Sequence, residues 1–364
     1  MHRDRQNSSF AGTIAAIVLG ALLGGCGTVG PNAINNGRLT YNEAIVATDN
    51  QQMLMLAVHN RYEERGNLLA VSSVTANVKM TTRASIEVGV GNEEYFAGNL
   101  VPFGAGVIYE ENPTISYTPV GGEKYARQLF SPVSIEVLAQ YANTLTNPAG
   151  AYMALVASVN GIYNPDFLSG TMEADPRFAR FVTLVGTLEE AHRLHWIEAS
   201  NRTDSLSIFI DRSSPGFENE IDELLSLLGL PAASDEAQSI ILPVVRALDG
   251  RESGGVGITT RSVWELIEIL SAAIDVPEED LKNSIAATYP ASGAVGRDLR
   301  VRVSDKRPDS AYIAVEHRGH WFYIDESDQL TKRFFRITFS LLGVAISESA
   351  VRTHAAPVLT VPVN

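Results

Sequence analysis

Two of the seven histidines in this 364-residue chain stand close enough together to suggest a ligand pair. After Asp175-Pro176, the residues Phe181, Val185, Leu188, His192 and His195 follow one another in steps of four and three. On a single helix, both rings would continue an apolar stripe toward Trp196. Glu189 precedes His192 by one turn and Glu198 follows His195 by one turn, so Glu189, His192 and His195 form the candidate metal site. A metal-binding protein or enzyme centred on His192 and His195 is therefore one reading of the function. A di-iron bundle would need a second Glu-x-x-His pair from another helix, and the sequence holds none. A mononuclear site would need a further donor, such as His317 or His320. The competing reading has the two rings partly buried and hydrogen-bonded, or lying where the stripe reaches solvent.

A second candidate is His317-Arg318-Gly319-His320-Trp321-Phe322-Tyr323. In a strand, Trp321 and Tyr323 share one face and His320, Phe322 and Ile324 the other. Trp321 and Tyr323 are the candidate partner-binding residues, because such rings combine large contact area with a polar handle. The competing reading packs one aromatic face into the core. No nucleophile elbow, Ser-x-x-Lys, His-Glu-x-x-His, phosphate loop or zinc-type cysteine pair occurs. The expectation is accordingly a non-catalytic protein without a metal or dissociable cofactor.

The one cysteine, Cys26, has chemistry of a different kind. A basic start (His2, Arg3, Arg5) leads into an apolar run from Ala11 to Leu23, followed by Gly24, Gly25 and Cys26. That order defines a secretory signal peptide over residues 1–25, and the run is well short of the roughly 20 residues a spanning helix needs. Leu23-Gly24-Gly25-Cys26 resembles the lipobox of bacterial lipoproteins. The resemblance implies that Cys26 becomes the lipidated first residue, its sulfur carrying a diacylglycerol and its amine a third acyl chain. Each buried methylene contributes about 0.8 kcal/mol, and two or more chains anchor stably. In lipoproteins of that type an Asp after the Cys favours the inner membrane. Gly27 stands there instead, which implies the outer membrane, facing the periplasm.

The elements that must position these residues follow from composition and period. Residues 26–38, rich in Gly and Asn with Pro31, suit a flexible tether. Tyr41 to Glu64 reads as a helix with Met53, Leu54, Leu56, Ala57 and Val58 buried. Ala70 to Val90 and Gly106 to Val120 read as an antiparallel strand pair joined near Asn92 to Gly104. Helices follow at Glu123 to Phe130, from the Ser134 cap through Tyr141, at Ala151 to Asn160, and from Pro176 to about Ala199. Beyond a soft boundary near Asn201 to Asp204, strands are expected at Leu206 to Ile210, Gly255 to Thr260 and Leu299 to Val303. Ile240 to Leu248 is a strand or short buried element. Ala311 to Asp325 reads as a hairpin turning at Arg318-Gly319, after which Asp325 and Asp328 cap a helix. Glu218 to Leu228, Ser262 to Ala273 and the segment after Pro277 are helical. Phe334 to Ile346 is apolar all round and suits a buried helix. Its apolarity also motivates a carrier of lipid or a small apolar ligand as a further alternative. Pro357 to Pro362 is extended along a sheet edge.

The fold class is therefore α+β, with antiparallel strands in both halves, a helical segment between them and a lipidated N-terminal tether. Residues 39–200 form a first lobe and 201–364 a second, or the two form one domain. Removing the leader takes the net charge from −14 to −15 by the loss of two Arg and one Asp. That acidity argues against nucleic acid and against electrostatic docking on anionic headgroups, leaving the lipid as the membrane contact.

Several stretches resemble a family of uncharacterised lipoproteins of Gram-negative bacteria. They are Tyr41-Asn42-Glu43-Ala44, Asn112 to Pro119 with Gly122-Glu123-Lys124-Tyr125, Gly319 to Asp325, and Ala356 to Pro362. The resemblance implies an envelope address and one shared architecture, and it carries no catalytic residue across. The leading expectation is an outer-membrane lipoprotein whose periplasmic body binds or scaffolds an envelope protein partner.

Overall fold

A computed structural model of the chain describes residues 26–86, 103–144, 148–164, 175–198, 206–234, 236–289, 299–350 and 359–362. The leader, the connection at 87–102, the expected boundary at 201–204 and residues 356–358 of the tail lie outside them. Residues 53–364 form one compact unit, which holds all the sheets; those up to Gln52 form another. Helix α1 is bounded by Cys26–Arg61 and so includes the stretch expected as a tether. Gly27, Gly30, Pro31 and Gly37 are poor helix residues, Gly costing about 1 kcal/mol and Pro about 3 each, so this is the weakest part of the helix. Further on, Leu54, Leu56, Ala57 and Val58 are buried as their apolar character requires.

The β-branched runs form a long arm. Strands β1 (Leu69–Ile86) and β2 (Phe103–Pro119) pair antiparallel from Leu69↔Pro119 to Ile86↔Phe103, with one register shift between Val71 and Ser73. At roughly 3.4 Å per residue the arm is about 60 Å long. The tail strand, Leu359–Pro362, lies against β2 over Thr114 to Tyr117.

Helices α2 (Glu123–Phe130), α3 (Ile135–Thr144) and α4 (Ala149–Leu155) come next. The Ser134 hydroxyl accepts from the amide of Val137, as a cap should. The helix expected to run to Asn160 stops at Leu155, and Val156–Val159 is strand β3, followed by β4 (Ile162–Tyr163). The reason is tertiary. Buried Asn160 accepts from the amides of Gly250 (3.0 Å) and Gly257 (2.7 Å) and donates to the carbonyls of Leu228 and Gly255. Those bonds hold a distant loop to the end of β3, and a helical Asn160 would forfeit them.

Asp175 and Pro176 start α5 (Pro176–Glu190) as expected, but it ends nine residues before Ala199 and is followed by strand β5 (Leu194–Glu198). The remaining elements are β6 (Leu206–Asp211), α6 (Glu218–Leu227), β7 (Ser239–Val245), β8 (Val256–Thr260), α7 (Val263–Ala272) and α8 (Glu278–Lys282). They are completed by β9 (Arg302–Ser304), β10 (Ala311–His317), β11 (His320–Asp325), α9 (Gln329–Ala350) and β12 (Leu359–Pro362). Ser262 and Glu265 form a capping box on α7.

A six-stranded sheet has the order β4-β3-β8-β7-β6-β5, and β5 and β6, on either side of residues 199–205, pair with each other. All its pairings are antiparallel except β7 with β8. Those two share register only at Val244↔Val256 and Val245↔Gly257, so the chain needs no long crossover to make them parallel. A second, antiparallel sheet has the order β10-β11-β9. Helix α9 buries Phe334, Phe335, Ile337, Phe339 and Leu342, and Asp328 caps it by accepting from the amide of Thr331. The architecture is α+β.

Candidate functional site

Two helix ends decide where the histidines go. Helix α1 finishes with Glu63 in the left-handed region (φ 55°). The amide of Glu63 donates to Asn60 O (3.1 Å) and that of Glu64 to His59 O (2.8 Å). This is a Schellman cap, in which the residue two beyond the cap folds back over the third residue from the helix end. Here those residues are Glu64 and His59. The cap brings a carboxylate and an imidazole together in a six-residue stretch.

The third member arrives on the hairpin. Arg318 (φ 51°) and Gly319 (φ 81°) are both left-handed, the two-residue type I′ turn that matches strand twist. On β10, Ile313 and Val315 are buried and His317 continues their face, opposite Phe322 and Ile324 of β11. The His317 ring meets Tyr62 and His59 edge-on, each at 5.1 Å between centroids. Phe322, fully buried, lies 6.4 Å from it.

His59, Glu64 and His317 offer one donor atom each within 4.8 Å of one another, the one such group of three among the described residues. The two oxygens of Glu64 are divided. Arg318 donates to Oε1 from Nη2 (2.7 Å) and Nε (3.1 Å), whereas Oε2 lies 3.1 Å from Nε2 of His317. That last contact lies off the direction of a ring N–H, so the buried Nε2 has a charge beside it but no hydrogen-bond partner. Burial pushes the His317 pKa down against the pull of Glu64, which favours the neutral ring. The Arg318 hydrogen bonds hold the Glu64 carboxyl below its ordinary value. A neutral imidazole and an ionised carboxylate are the forms in which these groups bind metals. Tyr62 donates to Asp280 Oδ2 (2.7 Å), and Arg318 stacks on the Tyr62 ring at 5.3 Å.

The site read from sequence looks different in the structure. Helix α5 ends in the same kind of cap, with His192 at the left-handed position (φ 56°), His192 N bonded to Glu189 O and Arg193 N to Leu188 O. The apolar stripe therefore stops at Leu188. His192 and His195 are exposed and stacked 6.4 Å apart, and His195 Nε2 lies 3.1 Å from the carbonyl of His192. Glu189 turns inward, accepting from the Tyr152 hydroxyl (2.7 Å), which in turn accepts from the Trp196 indole (2.7 Å). Burial pushes Glu189 up to about 7. The helix stripe that was to gather Glu189, His192 and His195 is thus corrected: the first faces the core and the other two face water.

His320 lies 3.0 Å from Asp305 Oδ1, separate from the triad. Trp321 and Tyr323 are half-buried on the outer face of the β10-β11-β9 sheet, with Arg307 stacked on Trp321 at 5.4 Å. Cys26 is the first residue of α1. His59 and Glu64 escaped sequence reading; the signal was the five-residue spacing of a cap, hidden because Glu63 occupies the place where glycine usually marks one.

No family model matches the chain, and neither does any curated protein or solved structure.

Proposed function

We propose that this chain is a lipid-anchored outer-membrane protein whose periplasmic body works without catalysis, engaging an extended segment of an envelope protein partner by strand addition to β1. The anchor rests on Cys26 behind Leu23-Gly24-Gly25, and no helix among the described residues is long and apolar enough to cross a membrane. The observation that carries the reading is the arm. Among the described residues β1 is the outermost strand of its sheet, and from Ser73 to Ile86 it has no proline and only Lys79 and Arg83 as charges. Sheet edges are ordinarily blunted by proline, charge, bulges or cover, and an edge of this length with two basic residues and a single irregularity, at Val71/Ser73, keeps long uncharged stretches as a template for another strand. β2, by contrast, carries Pro113 and Pro119 and is partly covered by β12. Of the apolar stretch that motivates a ligand carrier, Phe334 to Ile346, the part up to Leu342 is largely packed in the core and Val344 is exposed, which leaves that alternative less support.

The test is a photo-crosslinking residue placed in cells at Ser73 or Thr75, both exposed on β1, with Glu136 on α3 as a control. A discrete envelope protein captured from β1 and not from Glu136 is expected. Identical products from all three positions would overturn the strand-addition reading. Cys26→Ser should release the body from the membrane fraction, and unchanged fractionation would remove the anchor.

A further inference from the structure

We infer that His59, Glu64 and His317 form a binding site for one borderline transition-metal dication, Zn²⁺ being the best match, pinning the end of α1 to the β10–β11 hairpin. The donor set is the first reason. Two imidazoles and a carboxylate suit Zn²⁺ and its neighbours, whereas Ca²⁺ and Mg²⁺ take oxygen ligands. Geometry is the second. Oε2 of Glu64 and Nε2 of His317 are 3.1 Å apart, close to the roughly 3.4 Å expected between two ligands of a tetrahedral Zn²⁺ at about 2.0–2.2 Å. The three donors spread to no more than 4.8 Å, so a side-chain adjustment of roughly 1 Å gathers them.

The third reason is the polar accounting. His317 Nε2 is buried and without a hydrogen bond, although an oxygen sits beside it. A native structure rarely leaves such an atom unsatisfied, and an ion between the two would satisfy both. Arg318 does not compete for the same oxygen: it holds Oε1 and leaves Oε2 turned toward His317, as outer partners orient metal ligands. The cap and the turn fix the backbone on both sides, so the ligands are placed by rigid elements. Three protein donors leave a fourth position for water.

The full-length chain, purified in detergent without a histidine tag and stripped with chelator, is titrated with Zn²⁺ by calorimetry, with Mg²⁺ as control. One Zn²⁺ per chain is expected, at least about tenfold weaker in His317→Gln and Glu64→Gln and unchanged in the His192→Ala/His195→Ala double variant. Circular dichroism establishes that each variant is folded, and His59→Gln, at the helix surface, gives an independent arm should the other two unfold. A folded wild-type chain with no saturable Zn²⁺ heat overturns the site. So does binding lost in the His192→Ala/His195→Ala variant but kept in His59→Gln. Thermal destabilisation of His317→Gln with no response of the wild type to Zn²⁺ marks a plain polar latch and overturns it equally.

Discussion

Helices α1 and α5 end in the same six-residue cap, and neither has glycine at its left-handed corner. In α1 the histidine stands at the third position from the end, where the cap folds Glu64 over it. In α5 the two folded positions are Leu188 and Arg193, and the histidine is at the corner itself, exposed. Two helix ends of one geometry thus give one half-buried ligand cluster and one solvated pair. What separates them is the residue's place in the cap, and the partner that a distant hairpin supplies.

Four substitutions break or sharpen that contrast. The largest effect is expected from Phe322→Ala, which empties the fully buried ground beneath His317 and Tyr62 and leaves the α5 end untouched. A loss of about 3–5 kcal/mol is expected in urea denaturation.

Next is Glu189→Gln. The folded state holds this proton up to about pH 7, whereas the unfolded carboxyl releases it near 4.5. Its contribution is therefore fully present below 4.5 and lost as pH rises through about 7. At about 1.4 kcal/mol per pH unit between the two values, the loss approaches about 3 kcal/mol. Urea midpoints at pH 5 and pH 8 should converge in the variant, which is the more stable protein at pH 8; an unchanged slope refutes the assignment to Glu189.

Glu64→Ala removes the pairing with Arg318, and because both groups are partly exposed the expected shift of the urea midpoint is small and shrinks further in high salt. The smallest change is a gain. His192→Gly relieves the left-handed backbone and should raise stability by about 0.5–1 kcal/mol in thermal melts. A loss there would mean that the exposed ring has a role beyond capping.

The contrast also explains what the sequence could show. Periodicity placed β1, β2 and the hairpin turn at Arg318-Gly319, and chemistry at single positions placed the caps at Ser134, Asp175, Ser262 and Asp328. The helix–strand break at Leu155 was illegible because its cause, the bonding of Asn160 to Gly250 and Gly257, lies some 90 residues away. The end of α5 was illegible because a histidine holds the corner that glycine usually announces. Glu64 and the hairpin residue that binds it are 254 positions apart, beyond any local pattern.

The tail strand has a consequence in time. β12 completes the base of the arm by pairing with residues roughly 240 positions earlier. Contacts of such sequence separation close late, after the loop entropy between them has been overcome. Until the tail docks, Thr114 to Tyr117 of β2 keep an open edge, and a chaperone meeting the chain in that interval would find four backbone positions that the finished molecule has closed.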